Sequence, residues 1–393
     1  MEKTLEGKKI LLGITGSISA YKSIEFLREL QKRGADVYAA VTPHGLKFVP
    51  ELVLKTLSGH EVYKEVVPEN SPEIRHTTLG SIVDLFIIAP ATANTIAKIV
   101  CGIADNPVTA TALVTGKGII CPAMNVNMYN NPATLKNIEI LKERGYLIVD
   151  SEEGELACGV KGKGRLADIE KIVQVVEFYF IPDFLKGKKV LITAGPTREY
   201  IDPVRFISNP SSGKMGYALA EMAVAAGADV ILVSGKTYLK SPYGLNFVEV
   251  ETVEEMRKAV FDNLDGTDIF ISAAAVGDFT PVRVADEKIK KTEEGIVLKL
   301  KRTPDIVSEV VASGKAKTVL GFAAETENLI ENARKKLSKK KLDFIVANNV
   351  KNGIFGSDNT SCIVIGKNLE KELSGTKREV ALSILKAVSG TKV

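Results

Sequence analysis

The stretch 188–229 constrains the fold of this chain more than any other part. It starts with an apolar run at 190–193, turns at 195–196, and continues with apolar residues at helical spacing that end at Gly227. A strand that leads through small residues into a helix leaves backbone N–H groups at the helix start, and such groups bind anions. We therefore predict a phosphate-binding α/β domain here. The Ser-Ser-Gly at 211–213 could equally be a simple helix cap, and both interpretations stay open.

The same strand, turn and helix pattern occurs near the start of the chain. A predicted strand at 10–15 leads into a turn at Gly16 and Ser17, and helical spacing then runs up to Gly34. Because each copy is the beginning of a parallel sheet, we predict an α/β protein with two Rossmann-like domains, each built on a parallel sheet. No G-x-G-x-x-G follows either first strand, which argues against a dinucleotide cofactor.

The composition fits two domains and argues against several classes of function. The 393 residues exceed one small core, and the segment 181–187, which contains Pro182, divides the chain into domains 1–187 and 188–393. A net charge of +4 is too small to indicate a nucleic-acid partner. No apolar run reaches the roughly 18 residues that a membrane span needs. Cysteines without metal-ligand spacing, and the lack of a signal-peptide pattern, predict a cytoplasmic protein.

Polar residues in loops after predicted strands are the first candidates for a site, because open α/β sheets bind ligands beyond the carboxyl ends of their strands. In the first domain, one set could hold a phosphate and another could contact the rest of a flavin mononucleotide (FMN). Taken singly, ordinary turn and cap chemistry explains each of them better. The residues are Gly16, Ser17 and Thr42 for the phosphate, and Thr92, Asn94 and Thr95 for the rest of the flavin.

The segment 150–165 differs from the rest of the first domain because four glycines lie in it. We predict that it cannot hold regular structure and forms a mobile flap. Cys158 lies there beside lysines and could be a reactive thiol, whereas Cys101 and Cys121 are expected to be small buried groups. His76 is predicted to lie in a polar loop, where a lone histidine is more often solvated than catalytic.

The second domain has amide, acidic and lysine side chains in similar places. Asn209 precedes the predicted helix start at Ser211, and Asp278 follows a predicted strand, where a carboxylate could meet a metal ion or a nucleotide hydroxyl. Clustered ammonium groups beside a helix N-terminus suit a triphosphate. A solvated lysine face is the alternative, and it is the better interpretation for Lys339 and Lys341. The clustered lysines are Lys288, Lys290 and Lys291 in one loop, and Lys336 and Lys340 on one helix face.

Several long motifs occur in a set order along the chain. The first group comprises 89–95, 122–128, His76 and the loop 154–159 around Cys158, and the second comprises 206–216, 273–278, 288–291 and 321–326. The first group resembles the flavin-dependent cysteine decarboxylases, and the second resembles phosphopantothenate-cysteine ligase. In this order the two halves are similar to the bifunctional enzymes of coenzyme A biosynthesis.

The resemblance implies a ligase in the second domain. It would activate the carboxylate of 4'-phosphopantothenate with CTP and Mg²⁺, and the amine of L-cysteine would then displace CMP. Asn209 would hold the acyl-nucleotide intermediate, and Lys288 would steady its negative charge. The CTP-binding positions of the family correspond here to Asp278, Lys288, Thr303, Pro304, Asp305, Ile306, Phe322, Lys336 and Lys340.

The resemblance also implies that the first domain decarboxylates the product, phosphopantothenoylcysteine, to 4'-phosphopantetheine. FMN would oxidise the cysteine part so that its carboxylate leaves as carbon dioxide. His76 would be the active-site histidine, Asn125 would bind the substrate carboxylate, and Cys158 would donate a proton. The family further implies a homo-oligomer with trimers of the first domain and dimers of the second.

Three positions depart from the family pattern, namely Ser17, Pro210 and Gly277, and the choice between CTP and ATP stays open. An alternative in another class is a flavoprotein decarboxylase or prenyl-flavin synthase fused to an inactive nucleotide-sensing domain. Such a sensor would bind a nucleotide without turnover. A flavin-binding structural protein is a further alternative, and it would release no carbon dioxide from phosphopantothenoylcysteine.

Overall fold

The computed structural model describes residues 3–67, 75–155, 161–290, 297–325, 328–349 and 358–390. Contacts divide the chain into two compact units, Met1–Phe180 and Ile181–Val393. The domain boundary predicted after residue 187 lies later in the chain than this division between Phe180 and Ile181. Leu185 is buried, and its backbone N–H group donates to the carbonyl oxygen of Ala226 at 2.8 Å. The segment predicted as a linker is therefore part of the second unit.

A parallel sheet forms the centre of the first unit. Its strands are β1 (Lys9–Ile14), β2 (Asp36–Val41), β3 (Leu85–Ala91), β4 (Ile119–Pro122) and β5 (Leu147–Ile148). They pair in parallel in the order β2-β1-β3-β4-β5. Almost every residue of β1, β3 and β4 is buried, as expected of a parallel sheet covered on both faces. The prediction of a parallel sheet is confirmed for this unit.

Helices cover both faces of this sheet. They are α1 (Lys22–Lys32), α2 (Glu51–Ser58), α3 (Arg75–Ile82), α4 (Ala93–Cys101), α5 (Pro107–Thr115), α6 (Val126–Tyr129), α7 (Pro132–Glu143) and α8 (Ile169–Tyr179), with short 3-10 helices at Ile18–Tyr21 and Gly45–Lys47. On one face Leu12 belongs to a core cluster with Phe26 of α1, and on the other Leu11 belongs to a cluster with Ile96 of α4. Adjacent strand residues thus serve opposite faces of the sheet.

An antiparallel hairpin of β6 (Glu152–Glu155) and β7 (Lys161–Arg165) precedes α8. The prediction that 150–165 cannot hold regular structure is therefore wrong. Two of its glycines, Gly162 and Gly164, serve close packing instead. A Cβ atom at Gly162 would lie 2.7 Å from Cγ2 of Val126, and one at Gly164 would lie 2.4 Å from the carbonyl oxygen of Met124. Glycine permits this close approach of two backbone segments.

The second unit contains a larger, mixed sheet. Its strands are β8 (Lys189–Ala194), β9 (Arg198–Tyr200), β10 (Phe206–Ser208), β11 (Asp229–Gly235), β12 (Asn246–Val250), β13 (Ile269–Ser272), β14 (Phe279–Pro281), β15 (Leu300–Arg302), β16 (Thr318–Glu325), β17 (Phe344–Asn349), β18 (Asn359–Gly366) and β19 (Leu369–Thr376). The main sheet has the order β12-β11-β8-β13-β16-β17-β18-β19 and is parallel as far as β17. The parallel sheet predicted for this unit is therefore confirmed as far as β17, and the last two strands, which the prediction did not include, are antiparallel. A short turn between Gly366 and Leu369 can join only antiparallel strands.

The helices of the second unit are α9 (Lys214–Ala225), α10 (Val253–Asn263), α11 (Ile306–Ser313), α12 (Leu329–Lys340) and α13 (Lys377–Val388). Two small antiparallel hairpins, β9-β10 and β14-β15, lie outside the main sheet. On one face of the main sheet, Phe270 of β13 belongs to a core cluster with Met256 of α10 and Val310 of α11. Within the described residues, no helix has the length and apolar character needed to cross a membrane.

Candidate active sites

The predicted phosphate-binding residues of the first unit lie at the carboxyl ends of β1 and β2. Gly16 follows β1, and a Cβ atom there would lie 2.5 Å from the Cβ atom of His44 in the loop after β2. Thr42 is buried, and its hydroxyl oxygen accepts a backbone N–H bond within that loop at 3.1 Å. The hydroxyl oxygens of Ser17 and Ser19 are 3.0 Å apart. The two loops are thus packed together at the sheet edge where α/β proteins bind ligands.

Buried Thr15 joins the loop after β1 to the loop after β3. Its Oγ1 donates to the carbonyl oxygen of Pro90 at 2.7 Å and accepts from the N–H group of Thr92 at 3.1 Å. Thr92 is the N-cap of α4 and accepts from the N–H group of Thr95 at 3.3 Å. Asn94 is exposed in the first turn. The predicted cap chemistry is therefore present, and Thr15 brings the start of α4 to the loop after β1.

Asn125 lies in the loop after β4 and is the N-cap of α6. Its Oδ1 accepts from the N–H group of Asn127 at 2.9 Å. The preceding residue, Met124, donates its backbone N–H group to the carbonyl oxygen of Gly164 in β7 at 3.0 Å. The β6-β7 hairpin therefore lies directly against the loop that contains Asn125.

A buried tyrosine supports the same region. The hydroxyl group of Tyr129 donates to Oδ1 of Asp150 at 3.2 Å, and Nζ of Lys163 in β7 lies 3.5 Å from Oδ2 of the same carboxylate. Nζ of Lys163 is also 5.1 Å from the centre of the Tyr129 ring. Burial, together with the charge of Asp150, raises the pKa of Tyr129 above its ordinary value. The phenol therefore stays protonated and able to donate near neutral pH.

Two predicted catalytic residues are placed only in part. His76 is the second residue of α3, so its assignment to a loop is wrong. The helix is supported by close packing of α3 on α5. A Cβ atom at Gly80 of α3 would lie 2.7 Å from Cγ1 of Val114. The side chain of His76 lies outside the described part of the structure. Cys158 lies between β6 and β7, in 156–160, which is also outside the described residues.

The cysteines that the structure describes differ in exposure. Cys121 is buried in β4, and burial raises the pKa of its thiol. Cys362 is buried in β18, and burial raises the pKa of this thiol to about 12. Cys101 is exposed, so the expectation that it is a buried group is wrong. It is the last residue of α4, at the end of the helix rather than on its buried face.

In the second unit, Asn209 follows β10 and is bound to the loop after β13. Its Nδ2 atom donates to the carbonyl oxygens of Ala275 at 3.2 Å and Val276 at 3.1 Å. The predicted helix start at Ser211 is wrong, because Gly213, with φ of +75°, is the N-cap and α9 begins one residue later. The N-cap of α9 is therefore a glycine and not a serine.

Lys288 is exposed on a loop that lies against the β9-β10 hairpin. The N–H group of Ala285 donates to the carbonyl oxygen of Ile201 at 3.0 Å. The N–H group of Ile289 donates to Oδ2 of Asp202 at 3.1 Å. Ala285, which precedes Lys288 in this loop, and Ile289, which directly follows it, are thus bound to the turn between β9 and β10.

The predicted nucleotide residues form local pairs near the carboxyl ends of β13 and β16. The N–H group of Thr303 donates to the carbonyl oxygen of Asp278 at 3.1 Å. The hydroxyl group of Thr303 donates to the carbonyl oxygen of Gly277 at 2.6 Å. Nζ of Lys336 donates to the carbonyl oxygen of Phe322 at 2.8 Å. Lys336 therefore reaches from α12 to β16.

Asp305 is the N-cap of α11 and pairs with Lys340. Its Oδ1 accepts from the N–H group of Ser308 at 3.2 Å, and Nζ of Lys340 is 2.8 Å from Oδ2. Burial opposes ionisation of Asp305, but hydrogen bonds from Lys340 and Ser308 outweigh it and hold the pKa of this carboxyl below its ordinary value. Pro304 precedes the cap, and buried Ile306 is the first residue of the helix.

Among the residues that the structure describes, no three histidine, cysteine, aspartate or glutamate side chains are grouped so that they could hold a metal ion. A magnesium ion that is bound through substrate phosphates needs only one or two protein carboxylates. The ligands of the expected Mg²⁺ are therefore not assigned to particular residues.

Sequence comparisons cover both units in the same order along the chain. Residues 1–179 match the family described as Flavoprotein, and residues 185–391 match the DNA/pantothenate metabolism flavoprotein C-terminal domain. The coenzyme A biosynthesis bifunctional protein CoaBC of Bacillus subtilis is 46% identical over 386 residues, which cover 96% of this chain and 94% of that protein. The chain belongs to this bifunctional family of coenzyme A biosynthesis. It therefore combines a decarboxylase unit with a ligase unit.

Solved structures of this family and its relatives are similar to one unit at a time. The C-terminal domain of a coenzyme A biosynthesis bifunctional protein CoaBC is 42% identical, has a TM-score of 0.46, and covers 53% of this chain and 97% of that one. The FMN-dependent cysteine decarboxylase SpaF is 28% identical, has a TM-score of 0.40, and covers 44% of this chain and 98% of that one.

In this member of the family, the structure also contains site-supporting residues that the sequence did not reveal. Thr15, Asp202 and Gly164 each join two segments that are far apart in the chain. The only local signal was the sequence Ile-Asp-Pro at 201–203, which is typical of a turn with a side-chain acceptor. The partners of these residues depend on tertiary contacts.

Proposed function

We propose that this chain carries out two steps of coenzyme A biosynthesis. The ligase unit joins L-cysteine to 4'-phosphopantothenate, and the flavoprotein unit decarboxylates phosphopantothenoylcysteine to 4'-phosphopantetheine. The observation that carries the proposal is the match to a bifunctional relative over 96% of this chain. The sites described above support it, because each lies among loops that follow sheet strands.

In the ligase unit, CTP with Mg²⁺ activates the carboxylate of 4'-phosphopantothenate. Asn209 holds the acyl-nucleotide intermediate. Since Nδ2 of Asn209 donates to Ala275 and Val276, its carbonyl oxygen is the part of the amide that can accept from a ligand. Lys288 steadies the negative charge that develops during activation, and electrostatic groups of this kind act most strongly in a preorganised site.

The nucleotide is held by the residue pairs around β13, β16 and α11. The carbonyl oxygen of Phe322 holds Nζ of Lys336 at 2.8 Å, and the carboxylate of Asp305 holds Nζ of Lys340 at 2.8 Å. Both ammonium groups are therefore placed before a triphosphate arrives. Fixed cations of this kind suit a triphosphate and its leaving pyrophosphate. The remaining nucleotide contacts in the proposal are Asp278, Lys288, Thr303, Pro304 and Ile306.

In the flavoprotein unit, the loops after β1, β2 and β3 fit FMN. The space beside Gly16 is too narrow for a side chain, and the start of α4 is held to the loop after β1 by Thr15. The proposed FMN contacts are Gly16, Ser17, Thr42, Thr92, Asn94 and Thr95. Bound there, FMN supplies the oxidation of the cysteine part that allows its carboxylate to leave.

The remaining residues of this unit act on the substrate. Asn125 binds the carboxylate that is lost, and His76 is the active-site histidine. Cys158 donates the proton that is needed after carbon dioxide has left. The Met124 to Gly164 hydrogen bond supports this arrangement, because it holds β7, which follows Cys158 in the sequence, against the Asn125 loop.

The proposal includes a homo-oligomer with trimers of the flavoprotein unit and dimers of the ligase unit. It also includes a cytoplasmic location, where thiols such as the exposed Cys101 stay reduced. The oligomer follows from the resemblance to the family, and the location follows from cysteines that form no C-x-x-C pair and no metal-ligand spacing. Size-exclusion chromatography with light scattering of the full chain measures the first of them.

The deciding experiment supplies purified protein with 4'-phosphopantothenate, cysteine, Mg²⁺ and each nucleoside triphosphate in turn. We expect 4'-phosphopantetheine, carbon dioxide and one pyrophosphate per product, with CTP as the best nucleotide. A nucleotide sensor fused to a decarboxylase would bind the triphosphate but release no pyrophosphate. A structural flavoprotein would release no carbon dioxide from phosphopantothenoylcysteine.

Two variants test the ligase site. Asn209→Asp places a carboxylate against two carbonyl oxygens, and Lys288→Gln removes a positive charge. Each should slow amide formation roughly a hundredfold or more while decarboxylation of supplied phosphopantothenoylcysteine continues. Lys339→Gln, at an exposed lysine of α12, is the matched control and should keep normal ligase activity. Normal ligase turnover in Lys288→Gln would refute the role given to that residue.

A further inference from the structure

The turn between β9 and β10 is organised by a fully buried carboxylate. Asp202 has 0% exposure. Its Oδ1 atom accepts from the backbone N–H groups of Val204 and Arg205, each at 2.8 Å. These bonds close the turn locally, and a single oxygen atom makes both of them.

The second carboxylate oxygen of Asp202 binds a different segment. Oδ2 accepts from the N–H group of Ile289 at 3.1 Å and from Nη1 of Arg205 at 3.2 Å. The same Nη1 atom donates to the carbonyl oxygen of Ile289 at 3.1 Å. Both backbone polar groups of Ile289 are therefore held, one by Asp202 and one by Arg205.

Ile289 is next in sequence to Lys288, while the hairpin that contains Asp202 leads directly into Asn209. On its other side, Asn209 donates to the loop after β13. The geometry points to Asp202 as a positioning residue that sets Lys288 relative to Asn209 for the ligase reaction. This inference rests on the proposed function, which gives Lys288 and Asn209 their roles.

The choice of a carboxylate at this position follows from the number of acceptors required. An asparagine has one acceptor oxygen and could close the turn, but it could not also accept from Ile289 and Arg205. Burying a charge is costly unless hydrogen bonds satisfy it. At Asp202 the second oxygen is satisfied by the segment that contains Lys288, so the charge joins the two parts of the site.

The backbone contact matters because the Lys288 side chain is exposed and long. Its ammonium group can act on a developing charge only when the loop beneath it is fixed, and a shift of about 1 Å at a reacting group can cost as much as a hundredfold in rate. The hydrogen bond to Asp202 is made by the backbone N–H group of Ile289, the residue adjacent to Lys288. Loss of this bond therefore displaces Lys288 without removing any group that touches the substrate.

The test compares Asp202→Asn, Lys288→Gln and the double variant in the full-length protein. We expect Asp202→Asn to lower kcat for amide formation about tenfold or more. If Asp202 acts through Lys288, the double variant should be no slower than Lys288→Gln alone, because residues that act as a unit are not additive. If Asp202 acted independently of Lys288, the losses in kcat caused by the two single substitutions would multiply in the double variant. Decarboxylation of supplied phosphopantothenoylcysteine should stay normal in all three.

Asp268→Asn is the matched control. Oδ2 of Asp268 accepts from the backbone N–H group of Lys189 at 2.9 Å, and Oδ1 pairs with Lys317 at 2.8 Å, but the residue lies at the amino end of β13. It should leave ligase kcat unchanged. Should Asp202→Asn unfold the protein, Arg205→Met replaces it, because methionine has no donor for Oδ2 of Asp202 or for the carbonyl oxygen of Ile289. Arg205→Met should likewise lower kcat and add nothing to Lys288→Gln.

The outcomes separate this inference from the proposed function. Normal turnover in Lys288→Gln would refute the role of Lys288 and the inference with it. A large loss in Lys288→Gln with normal kcat in Asp202→Asn would overturn only the inference. Multiplying losses in the double variant would also overturn it.

Discussion

The backbone N–H group of Met124 and the carbonyl oxygen of Gly164 are 3.0 Å apart and joined by a hydrogen bond. Gly164 has φ of +147°, a region that favours glycine. A Cβ atom there would lie 2.4 Å from the carbonyl oxygen of Met124. The loop that contains Asn125 and strand β7, which follows Cys158 in the sequence, therefore meet at a position that only glycine fits.

Gly164→Ala should consequently separate the hairpin from the Asn125 loop. We expect decarboxylation of phosphopantothenoylcysteine to fall at least tenfold, since displacement of a substrate-binding group by about 1 Å can cost up to a hundredfold. Ligase activity should stay normal, because the change lies in the other unit. The measurement is the rate of carbon dioxide release beside the rate of pyrophosphate release.

Gly145→Ala is the control for backbone strain alone. Gly145 also has a positive φ, +87°, but a Cβ atom there would meet nothing within 4 Å. It should cost about 1 kcal/mol of stability and leave decarboxylation normal. Equal losses of decarboxylation in the two variants would show that strain, and not the contact with Met124, is responsible.

Cys158→Ser should stop the decarboxylase reaction after carbon dioxide has left. Serine keeps the size of the side chain, but its hydroxyl group is a much weaker acid than a thiol at neutral pH. We expect normal release of carbon dioxide in a single turnover, a flavin that stays reduced, and an oxidised enethiol product in place of 4'-phosphopantetheine. Flavin absorbance measures the reduced flavin, and mass spectrometry identifies the product. Full reoxidation with normal product would assign proton donation to another residue.

Thiol alkylation of the native protein should distinguish the described cysteines. Burial raises the pKa of Cys362 to about 12, so almost none of it is thiolate at pH 8, and Cys121 is also buried. Cys101 is exposed and should be alkylated first. Peptide mapping after iodoacetamide treatment measures the order, with urea-unfolded protein as the control in which all three react. Alkylation of Cys362 as fast as Cys101 in the native protein would contradict the buried position of β18.

The stability provided by Asp202 should depend on pH. Burial opposes its ionisation, but the N–H groups of Val204, Ile289 and Arg205 and the charge of Arg205 outweigh burial and lower its pKa. A carboxyl whose pKa is lower in the folded chain stabilises the fold above its unfolded pKa, and this stabilisation is lost as the pH falls through the folded value.

The difference in Tm between the natural protein and Asp202→Asn should therefore be largest near neutral pH. It should shrink below about pH 4, the ordinary range of aspartate, because asparagine does not titrate. Thermal melts of both proteins from pH 7 to pH 3 measure this difference. A constant difference over that range would show that ionised Asp202 does not contribute to folding.

Much of the fold could be predicted because its signals are local. The apolar runs that became β1, β3, β8 and β11 are short and continuous, which is typical of a buried parallel sheet. The antiparallel pair β18 and β19 was missed. The alternating burial of β19 depends on its partner strand, and no long apolar run marks it.

The hairpin at 152–165 shows why composition can mislead. The four glycines predict flexibility, since glycine weakens isolated strands. In the structure, Gly162 and Gly164 are positions where the hairpin packs closely on the Val126 helix and the Met124 loop. Glycine suits both flexible segments and segments that pack closely, and only the neighbouring segment distinguishes these two roles.

The sequence by itself determined the family, the α/β class and the residue types of both candidate sites, because these depend on motifs that are contiguous in the chain. Tertiary structure alone decided which segments support those motifs. Thr15 bonds to Thr92, Met124 to Gly164, and Asp202 to Ile289. Each bond joins residues 40 or more positions apart. Such partners are chosen by the packing of strands and loops across the whole unit, and a local pattern carries no record of that packing.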